Sequence, residues 1–212
     1  AQGDADYLAF LDDDDEWIAP RLGRAVEVLA ARPKIAIVCG EAELSSGGHF
    51  LKVPPAGAED RGHGALCLDC FVATSTVTIR RRDFLALGGM DESLDRAEDY
   101  DLWLRLTRDG GRLHLLGRPL ARLDQGGDRL SNDPAAMAAA TLRVLQQSSS
   151  MAERDPLWRD RLGRLEAVLS HGLSKEGRFD EARDRAFKAV IQSPKARVAW
   201  TSALRSLLRF RR

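Results

Sequence analysis

The sequence predicts an α/β protein, a mixed sheet flanked by helices, with an all-α segment at its C-terminal end. Three observations lead there. Tyr7 to Phe10 is an apolar run that passes straight into Asp12, Asp13, Asp14, Asp15 and Glu16, as a buried parallel strand does when it ends at the ligand crevice of an open α/β sheet. Further short apolar runs alternate with stretches of helical spacing, the order of a sheet covered by helices. Beyond Asp133 no strand signal remains.

Taken in order, the first helix is predicted from Pro20, a residue suited to a first turn, through Leu22, Val26 and Leu29 to Ala31, where Pro33 stops it. Ile35 to Cys39, bounded by Gly40, reads as the next buried strand. The stretch from Ser45 to Gly64, with its glycines and Pro54-Pro55, reads as a loop or hairpin region. Thr76 to Ile79 is another strand, followed by Arg80, Arg81 and Arg82 and by a short helix from Asp83 to Leu87 that Gly88 and Gly89 end. From Glu98, the residues Leu102, Trp103 and Leu106 recur at helical spacing until Gly110 and Gly111. Leu113 to Leu116 is the last predicted strand. The chain accordingly divides into residues 1–131 and a helical extension, 132–212.

Composition narrows the function classes. The 212 residues are 44% hydrophobic, enough for a real core, and carry 32 basic and 32 acidic side chains. With zero net charge there is no global field to select nucleic acid, which is not expected as a partner. Cys39, Cys67 and Cys70 are too few and too odd for a disulfide framework, which fits a reducing compartment, and the lone Cys67-x-x-Cys70 lacks the remaining ligands of a structural zinc site. No apolar run approaches the ~20 residues that cross a bilayer. His49, His63, His114 and His171 have neither metal nor triad spacing.

The acidic run carries the chemistry. Four like charges at a strand end repel one another, and a divalent cation is the usual remedy. In an extended chain alternate residues share a face about 7 Å apart, so Asp12 and Asp14 can converge on one ion. A calcium-binding or merely solvated acidic loop is the competing reading. Trp17 either lines such a site or packs beneath it.

Leu11, Asp12, Asp14, Asp15 and Trp17 match the pattern Leu-Asp-x-Asp-Asp-x-Trp and resemble the strand-end metal motif of the inverting family 2 glycosyltransferases with the GT-A fold. A second segment carries the same resemblance. Arg80 and Arg81, then Gly88, Gly89, Asp91 and Glu92, then Glu98, Asp99, Tyr100, Asp101, Leu102, Trp103 and Arg105 follow the family's order, with Met90 in place of an aromatic residue. Two ordered motifs at a family-like separation are a far more specific signal than either alone.

The resemblance implies a partial GT-A domain over residues 1–131, its metal and acceptor half, with a nucleotide-binding half expected upstream. It implies a transfer from a nucleotide-sugar donor to a glycan or lipid-linked acceptor, with inversion at the sugar carbon; an inactive truncated transferase domain acting as a binding or scaffold protein, and a metal-dependent nucleotidyltransferase, are the competing readings. Mn2+ or Mg2+ would be held by Asp12, Asp14 and Asp15, with Trp17 and Arg129 also on the donor diphosphate side. Asp99, with Glu98 beside it, would take the acceptor hydroxyl proton, because a single displacement needs a base as the new bond forms. Asp91, Glu92, Asp101 and Trp103 would lie on the acceptor side. Glu98 and Asp99 at a helix start also suit a cap, and Trp103 on an apolar helix face also suits a core. Where the family often has a histidine after the last strand, this chain has Asp124 or Gln125.

In the extension, Leu173, Gly177, Phe179, Ala182, Ala186, Ala189, Pro194 and Trp200 fall at the spacing of a tetratricopeptide repeat, a pattern that generic helix packing also produces. The terminal LRSLLRFRR joins leucines and arginines in a way suited to an anionic membrane surface or to a frayed end. The expected location is cytoplasmic or peripheral on the inner membrane face, with self-association through the C-terminal helices as another expectation.

Overall fold

The computed structural model describes residues 3–44, 49–50, 60–124, 133–148 and 156–201. Two compact units are distinguished. Unit 1 comprises residues 1–92 and 98–127, and unit 2 comprises 93–97 and 128–212.

Unit 1 is built on a mixed sheet of seven strands: β1 (Tyr7–Ala9), β2 (Glu16–Trp17), β3 (Ile35–Leu44), β4 (His49–Phe50), β5 (Asp60–Gly62), β6 (Thr78–Arg80) and β7 (Arg112–Leu123). The main path runs β1-β6-β3-β7-β2, with β4 added to β3 and β5 to β7. Among the described residues only β3 and β7 run parallel; every other pairing is antiparallel. Helices α1 (Leu22–Ala31), α2 (His63–Leu68), α3 (Arg81–Ala86) and α4 (Glu98–Thr107) accompany the sheet, and a 3-10 turn, Thr74–Thr76, leads into β6. The mixed α/β class expected from the sequence is the one found.

Several elements differ from expectation, each for a physical reason. β1 pairs antiparallel with β6, Leu8 facing Ile79, and its residues are half-buried at the end of the strand order, not central and parallel. Burial of an apolar run depends on its distant partners, which its own residues do not specify. The first helix begins at Leu22, and Arg21, at its N-cap position, is buried. Gly40 does not end β3. A Cβ there would come within 2.7 Å of both the Arg118 carbonyl and the Leu120 side chain, so glycine is what lets β7 approach. β7 likewise continues past Gly117 and Pro119, and Pro119 falls where the β3–β7 register shifts, the kind of irregularity where proline is tolerated.

The sheet's core is conventional. Ala25, Val28 and Leu29 of α1 pack on Ile35 and Val38 of β3. Leu102, Trp103 and Leu104 of α4 are fully buried, each large side chain contributing about 1.5–3 kcal/mol by leaving water. Arg80, only 6% exposed, ties the layers together. Its guanidinium donates to the carbonyls of Leu29 at 2.6 Å, Ile35 at 2.8 Å and Arg32 at 3.1 Å, satisfying the end of α1.

Unit 2 contains α5 (Pro134–Ser148), α6 (Pro156–Lys175) and α7 (Phe179–Gln192). Asp133 caps α5 by accepting the amides of Ala135 and Ala136, both at 3.0 Å. Ala138, Leu142, Leu169, Leu173 and Ala182 form its core, and Ala167, Ala189 and Ala199 a second, smaller one. Ala182, Ala186 and Ala189 are buried, whereas Phe179 and Trp200 are largely exposed. Residues 202–212, with the basic terminal stretch, lie outside the described residues. Among the described residues no helix is long and apolar enough to cross a membrane.

Candidate active site

The acidic corner is a turn off the end of β1. The Asp15 amide donates back to the Asp12 carbonyl at 3.2 Å, which folds the carboxylates into one loop before β2 begins. Ser75, completely buried, holds that loop from beneath. Its hydroxyl accepts the Asp12 amide at 3.0 Å and donates to Asp15 Oδ2 at 2.6 Å. Asp15 Oδ1 accepts the amide of Asp124 at 3.1 Å, fastening the end of β7 to the same loop. Asp15 is thus a cornerstone of the turn. Asp124, one of the two residues standing in for a family histidine, enters through its backbone amide; Gln125 and Arg129 lie outside the described residues.

The residue before Ser75 reaches the other carboxylate. Thr74 donates its hydroxyl to Asp99 Oδ2, and Asp99 Oδ1 accepts the Tyr100 amide at 2.6 Å. One 3-10 turn therefore grips both motifs with adjacent side chains. Electrostatics agree with this proximity. Partial burial raises the Asp12 carboxyl above its ordinary range, and the charges of Asp15, Asp99, Asp14 and Glu98 raise it further. Asp12, Asp14, Asp15, Glu98 and Asp99 are accordingly brought together, with Asp12 and Asp14 on the exposed side of the loop.

Arg21 is the buried support of this arrangement. It is 3% exposed, donates to the Ser75 and Val77 carbonyls and to the Thr78 hydroxyl, and lies 4.6 Å over the Trp17 ring. Burial lowers its pKa to about 10, so it remains charged at neutral pH. Trp17 in turn donates its indole N–H to the Phe10 carbonyl at 3.2 Å. Half-buried between these groups, Trp17 braces the loop from the β2 side.

Two residues expected on an acceptor side are buried. Trp103 has no exposed surface and meets Phe10 edge-on with ring centroids 5.3 Å apart, so it is core. Asp101 is 4% exposed and paired at 2.7 Å with Arg105, which also donates to the Leu87 and Gly89 carbonyls. That pair fastens α4 to the Gly88-Gly89 turn. Glu92 is exposed and Asp91 half-buried in the segment before α4. Thr74, Ser75 and Arg21 went unnoticed in the sequence; the only signal was three polar residues beside otherwise apolar strands.

The residues suit a hard cation in a particular way. Among the described residues no three His, Cys, Asp or Glu side chains are grouped to hold a metal by themselves. Mg2+ and its relatives are commonly held by one or two carboxylates plus substrate phosphates. Asp12 and Asp14 are two carboxylates on the exposed side of one loop.

No family profile matches the chain. It is 30% identical over 124 residues to the amylovoran biosynthesis glycosyltransferase AmsB of Erwinia amylovora, an alignment covering 55% of this chain and 41% of that protein. It is 26% identical over 107 residues to an uncharacterized glycosyltransferase of Haemophilus influenzae, covering 49% of this chain and 36% of that one. The chain thus spans less than half the length of either relative. Among solved structures it superposes on S. aureus TarS 1-349 with a TM-score of 0.49 and 12% identity, over 97% of this chain and 65% of that one.

Proposed function

We propose that residues 12–15 and 98–99 serve a metal-dependent, inverting glycosyl transfer from a nucleotide-diphospho-sugar to a hydroxyl of a glycan or lipid-linked acceptor, at the cytoplasmic side of the cell envelope. The observation that carries this reading is the shared 3-10 turn, through which Thr74 and Ser75 bring Asp99 and Asp15 to one place. Similarity to two glycosyltransferases by name supports the reaction class.

The chain's residues divide the work. Asp99, oriented by Thr74 and the Tyr100 amide, takes the proton of the attacking hydroxyl, a role worth roughly 10²–10⁴ in rate. Asp12 and Asp14 hold Mn2+ or Mg2+, while Asp15 fixes the turn that presents them. When bound, the ion would offset charge building on the departing nucleoside diphosphate. Ser75 and Arg21 keep the loop in place without touching the reacting atoms.

Calorimetry with Mn2+ and a panel of nucleoside diphosphates tests the donor side: binding is expected, and Asp12→Ala with Asp14→Ala should abolish it. Asp99→Asn should retain that binding and lose turnover. Donor binding without turnover in the unmodified chain would instead favour a binding or scaffold role, and unaltered binding in the double variant would remove the metal site.

A further inference from the structure

A second site is built into the other side of α1. A groove of about 600 Å3 runs between α1 and β7, lined by Arg24, Arg32, Arg118 and His114 together with Glu27. None of these residues belongs to the acidic corner. Three guanidinium groups outnumber the two nearby carboxylates, Glu27 and Asp60, so the groove is positive in a chain of zero net charge.

One of the lining residues is His114, 8% exposed. Asp60 and His114 are register partners in the antiparallel β5–β7 pair, which is why they meet: His114 Nδ1 lies 2.8 Å from Asp60 Oδ1. Burial alone would raise the Asp60 carboxyl, but hydrogen bonds from His114 and Arg32 and the Arg32 charge hold it below the usual carboxylate range. The Asp60 carboxylate facing Nδ1 can only accept, so that nitrogen carries a proton, and Nε2 is the ring nitrogen left to meet a ligand. Arg32, 3.1 Å from the same Nδ1, is fixed by its ion pair with Asp60, and Arg118 is fixed by donating to the Pro20 carbonyl. Arginines oriented in this way beside one imidazole nitrogen match a group that offers several anionic oxygens and one hydroxyl.

We infer that this groove binds a phosphate monoester group, with Arg24, Arg32 and Arg118 on its oxygens and its P–OH donated to His114 Nε2. The volume suits a small phosphorylated molecule and exceeds what a bare anion needs. The inference rests on this geometry alone and stands apart from the transfer reaction proposed above. Monoprotonated phosphate carries the required hydroxyl and sulfate does not, so the two anions discriminate the site from simple charge attraction.

The test is a titration of the full chain with sodium phosphate, glycerol 3-phosphate and sodium sulfate at constant ionic strength, followed by backbone amide NMR. Shifts should centre on residues 22–32 and 112–118, with phosphate bound about tenfold more tightly than sulfate, the scale of one charge-assisted hydrogen bond. Arg24→Glu, at a side chain 64% exposed, should weaken phosphate binding at least severalfold without touching the core, and His114→Gln should erase the preference over sulfate. Should His114→Gln fail to fold, Arg24→Glu still decides the matter. Equal shifts with sulfate, shifts elsewhere, or indifference to Arg24→Glu would overturn the assignment. So would sedimentation with phosphatidic acid vesicles in the absence of any response to the soluble phosphates, which would point to a membrane surface instead.

Discussion

Thr74 donates its hydroxyl to the Asp99 carboxylate, one residue before the serine that holds Asp15. A half-buried threonine therefore sets where the second carboxylate points relative to the acidic loop. Thr74→Val keeps the shape and removes the bond. Turnover should fall about tenfold to a hundredfold, the usual penalty for losing an orienting partner, with nucleoside diphosphate affinity unchanged. Steady-state kinetics alongside calorimetry checks this, and equal losses in both would mean that Thr74 acts on the whole loop.

Ser75→Ala should be felt in stability as well. Two hydrogen bonds disappear from a completely buried hydroxyl, at a cost of about 1–3 kcal/mol. Urea unfolding should show a lower midpoint with an unchanged slope, and Mn2+ affinity should drop with it. Stability indistinguishable from the parent would contradict the assigned role.

Opposite pH signatures are expected at Asp12 and Asp60. Burial and neighbouring carboxylates raise Asp12 in the fold, so the native state binds more protons there and stability falls as pH rises from the ordinary carboxyl value through the raised one. Asp60 is lowered, so its contribution is present above the ordinary value and is lost as pH falls through the lowered one. Asp12→Asn should stabilise the protein at neutral pH and have little effect in acid. Asp60→Asn should destabilise it at neutral pH. Denaturant midpoints measured from pH 3 to 8 for both variants check the two signs, and identical profiles would contradict the account.

Much of this architecture was legible in short-range pattern. The α4 helix announces itself through Leu102, Trp103 and Leu106, because helical periodicity is local. The acidic turn after Phe10 is equally plain. What escaped depends on distant partners. Tyr7–Ala9 reads as a buried parallel strand but pairs antiparallel with β6, and Gly40 looks like a strand end until Leu120 is seen against it. Helix α2, six residues after a glycine-rich stretch, is too short for its period to emerge. Thr74 and Ser75 form no motif, and their importance lies entirely in what approaches them from residues 12–15 and 99.

Arg80 belongs to the second motif, yet its contacts are structural. Arg80→Met should cost about 3 kcal/mol by stranding buried carbonyls at the end of α1. Arg80→Lys should restore only part of that, since one ammonium cannot reproduce a planar fork serving Leu29, Ile35 and Arg32. Guanidinium unfolding measures both, and a lysine variant as stable as the parent would contradict the geometry.

In unit 2, Gly172→Ala should destabilise despite the better helix propensity of alanine. A Cβ there would lie 2.1 Å from that of Ala135, forcing α5 and α6 apart. The expected loss is about 1–3 kcal/mol, the cost of overpacking, against a propensity gain of about 1 kcal/mol. A raised melting temperature would show that the two helices part easily.

The central claim is that one bound ion sits close to both carboxylate motifs. Paramagnetic broadening by Mn2+, with a nucleoside diphosphate present, tests it most directly. Amide signals of residues 12–15, 74–75 and 98–100 should broaden together at low Mn2+, and Asp12→Ala with Asp14→Ala should leave them sharp. Broadening confined to one motif, or unchanged in the double variant, would contradict the account.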